Sequence, residues 1–403
     1  MTKALLAEWL DKAASCSLPG KGVSRLFLTK EHKRLLGYLR PLMEHCGLES
    51  EMDDAGNLVA RKPALHSAKT LYLGSHQDTV PCGGCYDGIL GVLVALLAVY
   101  ELREVELPFN IEVIAFGDEE GTRFNSTLLG STAVAGCFDP NILDCTDISG
   151  MSLAEALRRF GLNPDNIPQL TRNKEEAIGY VEVHIEQGPI LENHRLPVGL
   201  VSAITGIERH IIKITGASGH AGTVPMHLRK DALVAAGNYI SWLDTYSKTT
   251  KDLVGVVGKL DIYPNSVNVI PGIAELTLEL RSPHGDTRRQ ARKELQKVTA
   301  KLVAQGFLVE SELVYSLEEV ICDQELTGRL ESALVKEGIP PLTLFSGAGH
   351  DGLAMAHLCP VAMLFVRCRD GLSHHPDESI EIDDALTAKD ILKRFIKDLA
   401  SDF

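Results

Sequence analysis

Apolar positions along this chain fall into two kinds of pattern. Stretches dense in Val, Ile, Leu and Phe at 70–76 (TLYLGSH), 109–116 (FNIEVIAF), 179–187 (GYVEVHIEQ) and 361–368 (VAMLFVRC) predict strands by apolar content or alternation. Between the first two, from about Gly88 to Leu102, a nearly unbroken apolar run predicts a buried helix. Strand, helix and strand in that order predict a parallel α/β sheet covered on both faces. From Ile207 to Tyr315 the pattern changes. IERHIIKITG, LVGVVGKLDIY, AELTLELR and FLVESELVY read as strands, with helices at 229–243 and 286–304. The order β-α-β-β-α-β is the ferredoxin-like split arrangement, an α+β domain inserted into the α/β one. A helix at 324–337 and another from Asp384 to Leu399, with Asp383 or Asp384 as its N-cap, return the chain to the first domain. The expected domains are therefore 1–207 with 316–403, and 208–315.

Length and charge narrow the class. A chain of 403 residues suits two cores, and 54 acidic against 40 basic side chains give a formal net charge of -14. That balance argues against a nucleic-acid or anionic-membrane partner, since either requires a basic face. Glu8, Asp11 and Lys12 interrupt any signal-peptide core in MTKALLAEWLDKAAS, which reads as an amphipathic helix. The longest apolar run, Ile89 to Tyr100, is too short to span a membrane. Nine cysteines without framework spacing suggest reduced thiols and a cytoplasmic protein. Cys82 and Cys85 form a C-x-x-C, but no second pair completes a thiolate site, so they read as small residues in a tight turn.

The candidate chemistry gathers at the ends of the expected strands, where parallel sheets bind ligands. GSHQDTVPCGGCYDG brings His76, Asp78 and Asp87 into a glycine-rich turn after the first strand. His76 can ligate a metal, Asp78 can orient its ring, and Asp87 is placed to bridge two ions. GDEEG follows the second strand, so that one of Glu119 and Glu120 can bind metal while the other stays free as a general base. A lone strand histidine is more often structural, yet His184 lies beside Glu186 and Gln187 at a strand end and is a credible ligand. GLSHHPDE offers His374 and His375, and spacing alone does not choose between them.

Taken together, GSHQDTV, GGCYDG, DEEGTRF, HIEQGPILE, GHAGTVPM, PNSVNVIPG, GAGHDG and SHHPDE, in that order, resemble the hydantoinase/carbamoylase amidases of the M20 clan of dinuclear metallohydrolases. The resemblance covers nearly the whole chain. It implies a phosphorylase/hydrolase-like metallopeptidase catalytic domain with an inserted ferredoxin-like lid and dimerisation domain. It also implies two divalent ions per subunit (zinc, manganese, cobalt or nickel) held by His76, Asp87, Glu120, His184 and His374. His76 and His184 would serve different ions, His374 rather than His375 would ligate, and Glu119 would be the general base. His220 would reach the active site of the partner subunit in a homodimer and stabilise the oxyanion, while Gln187, Asn268, Arg281 and His350 would contact a small ureido substrate. The implied reaction is hydrolysis of the carbamoyl C–N bond of an N-carbamoyl-L-amino acid or an allantoate-like compound. An N-acyl amino acid hydrolase or dipeptidase of the same clan, and a non-catalytic binding protein, are the competing readings.

Overall fold

The computed structural model describes residues 2–403, which divide into two compact units: the chain up to Ser202 with Ile321–Phe403, and the inserted Ala203–Val320. The crossings lie a few residues outside the expected 207 and 316 because Gly206–Thr215 and Leu308–Leu317, which run past those positions, both belong to the sheet of the inserted unit.

Four parallel strands form the middle of that sheet. Thr70–His76 lies between Asn110–Phe116 and Ala177–Ile185, and Val361–Val366 pairs with the last. Antiparallel strands extend both sides, Leu58–Lys62 and Glu49–Met52 on one, Val198–Ile204 on the other. Every residue of Thr70–His76 and Val361–Val366 is buried, as expected for strands covered on both faces. Helix Ile89–Glu101 supplies much of that cover: its residues from Ile89 to Val99 are all buried, so it packs all round and not through one stripe. Helices Thr2–Ser15 and Ile382–Ala400 enclose it in the same core. Among the described residues no helix is long and apolar enough to cross a membrane.

The third strand ends at Ile185, so Glu186 and Gln187 lie in the turn beyond it and Gln187 takes the left-handed conformation at φ 57°. The expected N-cap of the last helix is a second correction. Glu381 holds that position, and Asp384, in the first turn, pairs its carboxylate with Arg367 at 2.8 Å instead of capping.

The inserted unit is a four-stranded antiparallel sheet in the order Leu308–Leu317, Gly206–Thr215, Ile273–Ser282, Val254–Tyr263. Helices Ala232–Thr249 and Gly285–Ala304 pack on one face, against Ile212, Ile214, Ala274, Leu276, Leu278 and Leu280. The first helix starts later than its apolar pattern predicts because the Asp231 side chain caps Leu233 and Val234. A separate two-stranded ribbon pairs Gly219–His220 with Val269–Ile270.

Candidate metal centre

His76 is the last residue of its strand, and the turn that follows carries Asp87 back over it. Gly88 makes that return possible. Its φ of 67° and ψ of -60°, with the Ile89 N–H donating to the Asp87 carbonyl at 2.7 Å, form a γ-turn with positive φ that side-chain-bearing residues avoid. A Cβ there would also stand 2.4 Å from the His76 ring.

Three imidazoles converge on the one Asp87 carboxylate. Oδ1 lies 3.3 Å from His76 Nε2 and 3.1 Å from His184 Nε2, and Oδ2 lies 3.3 Å from His374 Nε2. His76 Nδ1 donates to the Asp78 carbonyl at 3.0 Å and His184 Nδ1 to the Ile185 carbonyl at 2.9 Å, which leaves both Nε2 atoms facing Asp87, where they donate to its carboxylate until a cation displaces the proton. Burial works to raise the Asp87 pKa, but His184, His374 and His76 overcome it and hold the group well below the carboxylate range. Asp78 orients His76 through its main chain. Its carboxylate accepts instead from the Glu119 and Glu120 N–H groups, at 3.1 and 3.2 Å, and so fixes the turn that carries both glutamates.

Two donor groups result. His76, Asp87 and His184 form one, Asp87, Glu120 and His374 the other, each with ligand atoms within 4.8 Å of one another. The expectation that His76 and His184 serve different ions is corrected here: their Nε2 atoms lie 3.4 Å apart and share one oxygen of Asp87. Glu119 joins His76 and Glu120 in a further close group. Burial drives Glu119 well above the usual range, with Glu120, Asp351 and Asp78 adding to it against His76. Glu120 is pushed up to about 7 by burial and by Asp87 and Asp78, against His76 and His374, and its buried Oε1 has no hydrogen-bond partner. Acids crowded in a buried pocket, an orphaned carboxylate oxygen and imidazole nitrogens aimed inward fit borderline divalent cations. His375 points elsewhere, accepting from the Asp377 N–H at 3.2 Å.

Sequence reasoning missed the support behind Asp87. Glu378, 4 % exposed, accepts from the Tyr86 and Asp87 N–H groups at 2.9 and 3.1 Å. Ser373 lies between Glu378 and Asp87, at 3.0 and 2.8 Å, and Gln187 Nε2 donates to Asp87 Oδ2 at 3.0 Å. Gly84 is required by the same contact, since a Cβ would lie 2.0 Å from the Glu378 carboxyl. Glu378 sits in the SHHPDE motif, but nothing in its spacing distinguishes a buried acid from a solvated one.

Residues 72–398 match peptidase family M20/M25/M40. The chain is 40% identical over 387 residues to an N-carbamoyl-L-amino acid amidohydrolase from Geobacillus stearothermophilus, covering 95% of this chain and 94% of that one. A crystal structure of a hydantoinase/carbamoylase family amidase from Burkholderia multivorans superposes with a TM-score of 0.92 at 30% identity, covering 99% and 98% of the two chains. The chain belongs to the M20 family, among its hydantoinase/carbamoylase amidases. An allantoate deiminase from Arabidopsis thaliana is 37% identical over 412 residues, covering 93% of this M20 amidase and 78% of the plant protein.

The remaining expected site residues of this M20 amidase are not all brought together. His350 is 1 % exposed, stacked edge-on against His184 with ring centres 4.4 Å apart, and bonded through Nε2 to Ser346 Oγ at 2.7 Å. Burial and the neighbouring His184 hold its pKa well below the ordinary value, so it is neutral and in this conformation braces His184. His220 and Asn268 lie together in the inserted unit: the Ala221 N–H donates to the Asn268 carbonyl at 3.0 Å, and both residues are exposed. Arg281 is far from them within that unit. It pairs with Ile207 and Val254 at the other end of Ile273–Ser282, and about 26 Å of strand separates it from Ile273 at 3.3 Å per residue.

Proposed function

We propose that this M20 amidase hydrolyses the carbamoyl C–N bond of a ureido acid, of the N-carbamoyl-L-amino-acid or allantoate kind. The observation that carries the reading is the convergence of His76, His184 and His374 on the two oxygens of Asp87, with Glu119 adjacent. Two divalent cations, zinc, manganese, cobalt or nickel, fit the two donor groups that share Asp87, and when bound they supply Lewis-acid polarisation and acidify water. Glu119, raised by burial and not engaged in either three-donor group that shares Asp87, takes the proton of the attacking water. The water oxygen bonds to the ureido carbon, the terminal C–N bond breaks, and Glu119 returns the proton to the departing nitrogen. Ammonia leaves, and the carbamate formed loses carbon dioxide to give the amino acid or related acid.

The inserted unit serves as lid and dimerisation domain. His220 crosses to the partner subunit's site, where the imidazole donates to the oxyanion, and Asn268 contacts the substrate. Arg281 and Gln187 hold the substrate of their own subunit. Within the inserted unit His220 and Asn268 lie at one end and Arg281 at the other, where it pairs with Ile207. The nine cysteines, all free, support a reducing, cytoplasmic setting.

The test is ammonia release from N-carbamoyl-L-amino acids and allantoate after loading with each metal, set against cleavage of N-acetyl amino acids and dipeptides. Glu119→Gln is expected to lower kcat by about 10²–10⁴-fold, the usual share of a general base. Full activity in that variant, or cleavage confined to the acetyl and peptide substrates, overturns the assignment.

A further inference from the structure

The sheet of the inserted unit carries its helices on one face, and on the other Glu279 stands between two arginines. Glu279 is directly opposite Arg209 in the ladder, and Arg281, two residues along, shares its face. Its Oε1 accepts from Arg281 Nε at 2.7 Å and lies 2.6 Å from Nη2 of the same guanidinium. Its Oε2 accepts from Arg209 Nε at 2.8 Å and lies 2.6 Å from that residue's Nη2. The Glu279 side chain is 9 % exposed, those of Arg281 and Arg209 28 % and 45 %. Arg209 is itself seated over the Tyr315 ring, 5.5 Å from its centre.

An acid beside an arginine that must hold a substrate carboxylate would, by itself, cancel the charge the substrate needs. The second arginine removes that objection, because two guanidinium groups around one carboxylate leave a net positive charge. What remains is orientation: a grip on Nε and Nη2 fixes the plane of the Arg281 fork, and a planar fork recognises carboxylates only when it is correctly turned. We propose that Glu279, balanced by Arg209, is the positioning residue that orients Arg281 toward the carboxylate of the ureido acid, so that the enzyme selects anionic ureido acids over neutral ureas. This rests on the hydrolytic reading above.

The experiment measures binding and turnover separately, for an N-carbamoyl-L-amino acid and its carboxamide, with the metal-loaded enzyme and Glu279→Gln. The parent is expected to prefer the acid. In Glu279→Gln the Kd and KM of the acid rise about tenfold, the scale of one charge-assisted hydrogen bond. Its kcat stays within about twofold, as for a loss of uniform binding. The carboxamide is unaffected, and Glu279→Asp recovers part of the loss. An equal effect on acid and amide, or none on either, overturns the proposal. If thermal melting shows Glu279→Gln unfolded, Arg281→Lys keeps the charge but loses the fork; the same acid-selective loss is expected, and its absence is equally decisive. Acid-selective binding without turnover in the parent leaves the carboxylate site standing and sinks the hydrolytic reading alone.

Discussion

At the scale of single residues, the centre depends on one carboxylate, and Asp87 is held by groups that are not themselves among the candidate metal donors. Glu378 fixes its backbone, Ser373 and Gln187 fix Oδ2, and Asp78 fixes the Glu119–Glu120 turn by accepting two main-chain bonds. Residues that orient metal ligands in this way commonly contribute 10–100-fold in metal affinity, a range of about that size. Glu378→Gln is therefore expected to weaken metal binding by about 10–100-fold while the fold is retained, measured by calorimetric titration of the metal-free enzyme. Unchanged affinity would show that the bonds from Tyr86 and Asp87 to Glu378 only close a loop. The candidate donors were legible because histidines and acids stood at strand ends in glycine-rich surroundings. Glu378 and Ser373 were not, because their role follows from burial and from contacts with a turn nearly three hundred residues earlier.

At the scale of elements, the strand-to-helix junction at 76–89 does most of the positioning. The strand is buried along its length, the helix behind it is buried all round, and Gly88 forms the tight γ-turn between them. Gly88→Ala forces a side chain into that positive-φ turn and against the His76 ring. Denaturant titration is expected to show a loss of about 1–3 kcal/mol from backbone strain, accompanied by weakened metal binding. Loss of stability with metal affinity intact would mean that the turn relaxes away from His76. The apolar runs revealed the strands and this helix with good agreement, since buried parallel strands need apolar residues on both faces. Element ends were less legible. Asp384 looked like a cap but is used against Arg367, and HIEQ looked like strand to its end but turns at Gln187.

At the scale of the whole molecule, the metal-free centre opposes the ionisation of the acids around Asp87. Glu120 and Glu378, each with an ordinary value of 4.5, are pushed up to about 7, chiefly by burial with Asp87 adding to it. These two acids therefore bind more protons in the folded chain than in the unfolded one across that interval. Their contribution to stability is complete below the unfolded value and is lost as the pH rises through about 7. Cations displace those protons and reverse the trend. Melting curves from pH 5 to 8 are expected to show a metal-free protein that loses stability as the pH rises, and a metal-dependent increase in Tm that grows over the same range. A metal-induced shift that is constant with pH would show that these acids are not displaced by the ion.

The amino-acid sequence by itself determined the two-domain plan, the strands that carry the site and the residue types at their ends, because each is written in local periodicity or in short motifs. Only the tertiary structure decided how those residues are shared. It put His76 and His184 on one oxygen of Asp87, gave Asp78 the ring of His76 through its main chain and the glutamate turn through its carboxylate, placed His350 behind His184, and set Glu279 between Arg209 and Arg281. Those assignments depend on distances and directions between segments remote in the chain, fixed by packing and ladder register, which local pattern does not encode.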